Sequence, residues 1–346
     1  MFFLSVSRIS LLKVLNLFLN STYKLSVARR NWVEDLKEWL SNGATRGYLH
    51  PQCETFVNLF PQRVKIKRVA GGFQFTEGPV WIAEEAYLLF SDIPTNKIYR
   101  LGKGRQVTVF REPSNHSNGL TRDRQGRLIA CEHGTRRITR TEFDGKITVL
   151  GERFAGVKLN SPNDVIVKRD DSIYFTDPPY GIQPEQQEQP CQGVYYRSPD
   201  GAELKLVIDD FIKPNGLALS PDETTLYIAE SSEHCHIRAF DVQADGSLTN
   251  NRIFHCMSTP GAFGNPDGMK VDQAGHLYAT GPGGVWVFAP DGTHLGTIIF
   301  PEQPANCAWG GADWRILYVT ARTSVYQIRV NTPGIPLNSI PATKLP

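Results

Sequence analysis

Six positions in this 346-residue chain place an amide or carboxylate side chain at the head of an apolar run: Glu77, Asn118, Asn163, Asn215, Asp267 and Asn306. Glycine follows four of them, at Gly78, Gly119, Gly216 and Gly268, while Asp164 and Cys307 follow the other two. All six side chains offer oxygen, and none is histidine or cysteine. Brought to one point, such a set suits a hard divalent cation such as Ca²⁺, which takes carboxylate, amide and water oxygens. A zinc site more often recruits His or Cys, although Mg²⁺, Mn²⁺ or Zn²⁺ also enter oxygen cages when more available. Glu77 and Asp267 supply two negative charges to match a double positive one. A single Asn-Gly or Asp-Gly pair reads as a turn former, but six in register call for another explanation.

Bringing the six together requires a repeat. The intervals between these positions are 41, 45, 52, 52 and 39 residues, the period of β-propeller blades with about four short strands each. Most anchored runs are followed by a polar turn and a second strand-like run, as in GLALSPDETTLYIAE and GMKVDQAGHLYATG. Third and fourth runs follow, such as HIRAFDV then NNRIFHC. The expected fold class is therefore all-β, a six-bladed β-propeller over 63–332 with a C-terminal tail at 333–346. The last repeat lacks an outer strand, and VKIKRVA at 64–70 is expected to supply it and close the ring, leaving no long unpaired edge. In a propeller the first strand of each blade lines the central tunnel, so the six anchors should ring one tunnel mouth.

Residues 1–62 read as an N-terminal extension, apolar and helical. MFFLSVSRISLLKVLNLFLN carries Arg8 and Lys13 inside its apolar run, too interrupted for a clear membrane span, and it lacks the ordered charge, core and cleavage site of a signal peptide. An amphipathic helix resting on the propeller or on a membrane surface, a poor signal and a misplaced start codon all stay open. WVEDLKEWL at 32–40 has helical spacing, with Asn31 as N-cap. A cytoplasmic location is expected, with secretion or membrane association through residues 1–25 as the alternatives. The net charge of +2, with both signs mixed, gives no basic stripe for nucleic acid. Six scattered cysteines without a CxxC pair suggest neither a disulfide framework nor a zinc ribbon.

The strings FTEGPVW, SPNDV, PNGLALSPDE, PDGMKVD and NCAWGGADWRILYVTARTSVY together resemble the senescence marker protein/gluconolactonase (regucalcin-like) family of six-bladed propellers, its bacterial gluconolactonase-type members in particular. The resemblance covers about 65 to 330. It implies one divalent ion in the tunnel, held by Glu77, Asn163, Asn215 and Asp267, with Asp267 also the general base or nucleophile. It further implies hydrolysis of a sugar lactone as the activity. One departure stands out: animal members carry an arginine two residues before the Asn of ND, and this chain has Ser161. Their substrate preference is therefore not carried over.

A cation in such a cage would polarise a lactone carbonyl, while a nearby carboxylate accepts a proton from water. No GxSxG motif offers a serine route. Asn118, Asp164, His116, His133 and Tyr180 are candidates for touching substrate or steadying a ligand. Asp92, Glu132, Asp177, Glu230 and Arg322 fall near the mouth as rim residues or strand-end caps. His234-Cys235-His236 lacks a further ligand pair for a metal. The sequence thus supports a metal-dependent lactonase first. A hydrolase of another lactone or phosphate-ester-like substrate, and a non-catalytic propeller braced by calcium, are the alternatives.

Overall fold

The structure, a computed structural model, describes residues 47–259 and 261–336. It forms six antiparallel blades. The inner strands are Thr76–Ile82, Ser117–Arg122, Val165–Val167, Pro214–Leu219, Met269–Val271 and Asn306–Gly310. They touch one another in cyclic order, the last against the first.

Burial falls with distance from the axis. The first inner strand is buried at every position, as is the second strand Tyr87–Asp92, so both read as apolar runs without alternation. Outer strands such as Leu248–Cys256 expose Asn, Arg and Thr. Six hydrophobic clusters hold the ring together, one between each pair of neighbouring blades. Trp81 stacking on Tyr318 across the junction of blades six and one shows that the closing junction is packed like the others.

The ring closes as the sequence suggests. Lys67–Gly71 pairs antiparallel with Ser324–Arg329 as the outer strand of blade six, Lys67 opposite Gln327 and Gly71 opposite Ser324. The segment before it differs from the expected helical extension. Tyr48–Pro51 is a strand, paired with His294–Ile299 as a fifth strand on blade five. A five-residue helix, Glu54–Asn58, follows, and Phe56, Leu59 and Phe60 sink into the cluster between blades five and six. Gly296 leaves room for the Phe56 ring, since a Cβ there would sit 2.6 Å from it. The helix expected at 32–40 and the apolar segment at 1–25 lie outside the described residues.

All six cysteines are free, with Cys256 exposed. Among the described residues no helix is long and apolar enough to cross a membrane.

Candidate active site at the tunnel mouth

The glycines after the anchors are explained by space rather than by turn conformation. Only Gly78 of the four has a left-handed φ, at +50°. A Cβ on Gly119 would stand 2.6 Å from the Asn163 carbonyl, one on Gly216 2.2 Å from the Asp267 carbonyl, and one on Gly268 2.0 Å from the Asn306 amide. Each glycine lets the next blade's anchor approach. The repeated pairs are therefore contact points between neighbouring inner strands.

The anchors join through a directed chain of hydrogen bonds. Asn118 Nδ2 donates to Asn163 Oδ1 at 2.6 Å, and Asn163 Nδ2 to Asn215 Oδ1 at 2.5 Å. Asn215 Nδ2 donates to Ser231 Oγ at 3.1 Å, and Ser231 donates to the Pro266 carbonyl beside Asp267. Asn163 Oδ1 and Asn215 Oδ1 each accept one bond along this chain and retain a second lone pair. His133 Nε2 stands 3.3 Å from Asn118 Nδ2. Burial pushes its pKa down to about 4, so the ring is neutral near pH 7 and can accept that N–H.

Three carboxyls converge beside the amides. Burial raises the Glu77, Asp164 and Asp267 carboxyls above the ordinary range, and their mutual repulsion adds to the rise at Glu77 and Asp267. The Gly78 N–H, donating to Glu77 Oε2 at 3.0 Å, and the Asn306 amide oppose part of it. The Lys270 ammonium lowers Glu77 and Asp164. Asp164 Oδ1 accepts the Val165 N–H, whereas its buried Oδ2 has no hydrogen-bond partner. Asp267 is only half-buried and so opens to the mouth. Among the described residues no three His, Cys, Asp or Glu side chains group closely enough to hold a metal alone. A cation here therefore needs the amide oxygens. Excess negative charge, an orphaned carboxylate oxygen and all-oxygen donors are chemically suited to a hard divalent ion.

The rim sorts into two kinds of residue. Asp92, Asp177 and Glu230 cap the segments that lead into their blades' inner strands. Asp92 accepts the Gln74 and Phe75 N–H groups, Asp177 those of Asn160 and Ser161 at 2.7 Å each, and Glu230 those of Ile212 and Lys213. Glu132 binds Asn115, Arg137 and Thr139. These four hold loops. His116 lies outside the amide chain, exposed, with Nδ1 2.8 Å from the Ile93 carbonyl. Tyr180, 44% exposed, turns its hydroxyl towards Ser231 and Asn215, and burial and the Asp267 charge push it up. Its loop is set by Ser161, whose hydroxyl accepts the Gly181 N–H at 2.9 Å. Ser161, at the place where animal family members carry an arginine, thus positions the loop beneath Tyr180. The His234 and His236 rings stack 5.9 Å apart away from this chain.

Asp177 yields a pH prediction. Burial pushes its carboxyl up to about 7, against the pull of the Asn160 and Ser161 N–H groups, whereas an unfolded aspartate titrates near ~3.9. Between those values the folded chain binds the extra proton, so stability falls as pH rises through the window, by at most about 1.4 kcal/mol per pH unit from this group. Asp177→Asn is expected to flatten that slope while losing one N–H acceptor. Urea midpoints from pH 4 to pH 7 measure it, and an equally steep slope in the variant would remove Asp177 as its source.

Residues 75–323 match the profile described as the SMP-30/Gluconolactonase/LRE-like region. The chain belongs to this family. It is 33% identical over 318 residues to the gluconolactonase of Zymomonas mobilis, covering 85% of this chain and 89% of that protein. It is 29% identical over 253 residues to the pentonolactonase XacC of Haloferax volcanii, covering 70% and 80%. Among solved structures it superposes on the Xanthomonas campestris gluconolactonase XC5397 with TM-score 0.75 and 35% identity, over 82% of this chain and 94% of that one. The family match spans all six anchors.

Lys270 and Ser231 were not singled out from the sequence. Lys270 carried a signal, a lone cation inside the apolar inner strand of GMKVD, where alternation aims one side chain into the tunnel. Ser231 carried none, because its role depends on reaching the Pro266 carbonyl in the connection to the next blade.

Proposed function

We propose that this chain hydrolyses the ring ester of a sugar lactone at the tunnel mouth, with one divalent cation, Ca²⁺ first, held by Glu77, Asn163, Asn215 and Asp267. The observation that supports it best is the convergence of three mutually repelling carboxyls with an ordered amide chain, in a family whose matching relatives are named lactonases. When bound, such an ion would polarise the ester carbonyl and offset the carboxylate charge.

The remaining work falls to side chains. Asp267 accepts the proton of the attacking water as general base. Asn118, held by Asn163 and by neutral His133, orients a substrate hydroxyl. Tyr180 covers the blade-four side of the mouth and offers a hydroxyl there. Asp164 adds a carboxyl beside the Asn306 amide, and the Lys270 ammonium opposes its protonation.

The test is proton release from D-glucono-1,5-lactone by metal-stripped protein, supplied separately with Ca²⁺, Mg²⁺, Mn²⁺ and Zn²⁺. Release above the spontaneous rate only with an ion is expected; folded, ion-loaded protein that releases none refutes this substrate. A second outcome is expected without substrate. Cation at a hundred times its Kd should stabilise the fold by about 2.7 kcal/mol, seen as a higher melting temperature that a chelator reverses. Absence of any shift with every ion would remove the metal from the proposal.

A further inference from the structure

Above blades five and six the rim carries a cation and an exposed ring that the cage does not use. Arg322 and Thr323 form the hairpin tip between Ile316–Ala321 and Ser324–Arg329, with Ala321 opposite Ser324. The Arg322 carbonyl accepts the Thr76 N–H at 2.7 Å and the Thr76 hydroxyl at 3.1 Å, directly beside Glu77. Its guanidinium lies over the Phe263 ring, 5.2 Å from the centroid. Phe263 is 69% exposed and lies four residues before Asp267 in the chain. Its carbonyl accepts the Gly283 N–H at 3.0 Å, which ties it to blade five. The pair therefore links the turn that anchors Thr76, next to Glu77, with the segment that leads to Asp267.

The guanidinium has no carboxylate partner among the described residues. Glu302, which meets the same turn, commits its oxygens to Thr323 and to the Tyr326 hydroxyl. A divalent cation would cancel the excess of Glu77, Asp164 and Asp267 over Lys270. Arg322 is then the charge that a ligand meets at this edge.

We propose that Arg322, supported by Phe263, selects sugar lactones bearing an anionic group, phosphate or carboxylate, on the carbon remote from the ring ester. This rests on the lactone-hydrolase reading above. A planar guanidinium held over an aromatic face by cation–π attraction can present two parallel N–H groups to such an anion. A neutral hydroxyl at that carbon gains only an ordinary hydrogen bond.

The experiment compares cation-loaded wild type with Arg322→Gln, Arg322→Lys and Phe263→Ala on three substrates: glucono-1,5-lactone, 6-phosphoglucono-1,5-lactone and glucaro-1,4-lactone. Arg322→Gln is expected to lower the ratio of kcat/KM for an anionic lactone over the neutral one by about ten- to a hundredfold. Arg322→Lys should recover part of the loss, and Phe263→Ala should lose a few-fold in the same direction. Loss confined to the phosphate or to the carboxylate substrate names the anion. Equal changes on all three lactones, or none, overturn the proposal. Calorimetric binding of 6-phosphogluconate provides an arm without turnover. Should no lactone be opened, the hydrolase reading fails on its own, and arginine-dependent binding of this acid still upholds the anion site. Binding that is equal in wild type and Arg322→Gln, or absent from both, overturns it.

Discussion

Asp267→Asn should reduce lactone turnover by about 10²- to 10⁴-fold, the range for losing a positioned general base, while the protein stays folded. The substitution keeps shape and removes one of three carboxyls that repel each other at the mouth. Two stability effects with opposite signs follow. Without cation at pH 8, the variant should melt at the same temperature as wild type or above it, because a desolvated charge has gone. With cation, the variant should gain less than wild type, because a charged ligand has gone as well. Steady-state kinetics and paired melts with and without chelator measure both. Full activity in the variant would dismiss Asp267 from the mechanism, and a variant melting far lower without cation would mean that its carboxylate serves the fold.

Gly216→Ala should destabilise the fold by about 3 kcal/mol or more, among the larger effects available to a single methyl group. Gly216 has no left-handed φ, so alanine suits its backbone. The obstacle is the added Cβ, 2.2 Å from the Asp267 carbonyl and 2.6 Å from the Gly268 Cα. Both are backbone atoms that no rotamer change can move. Relief would require blades four and five to part where Asp267 is held, so surviving protein should also lose activity. Gly145→Ala is the contrasting case. Its φ is +84° with nothing within 4 Å of the added methyl, and only conformational strain remains, about 1–2 kcal/mol. Urea denaturation of the two variants separates crowding from strain; similar losses would refute the crowding argument at Gly216.

The anchors were legible in the sequence because the same geometric demand recurs around the ring: an oxygen-bearing side chain at the mouth, followed at four of the six by a glycine that leaves space for the neighbouring blade. The missing outer strand was legible for a related reason, since a ring that lacks one strand must find it at the other end of the chain. Tyr48–Pro51 was not. Four residues containing a proline carry no pattern, and their partner strand His294–Ile299 is remote in sequence. Its only trace is indirect: that partner strand is buried at four of six positions, unlike the other outer strands. The caps Asp92, Asp177 and Glu230 recur at the end of the second strand in their blades. Their identity as caps or rim residues could not be read beforehand, because the N–H groups they bind belong to loops without sequence preference. The meaning of Ser161 likewise appears only once Gly181 is seen to donate to it.

The closure of blade six has a consequence for the order in which the protein comes off the ribosome. Lys67–Gly71 is made early, yet its partner Ser324–Arg329 emerges roughly 250 residues later, about ten to fifty seconds at ordinary translation rates. Over that interval the growing chain carries an unpaired strand at its front and an open ring behind it, the edges that invite association with other chains. Nascent chains stalled before residue 324 should therefore depend on chaperones more than the finished protein does, and release of the last blade is the event that ends that dependence.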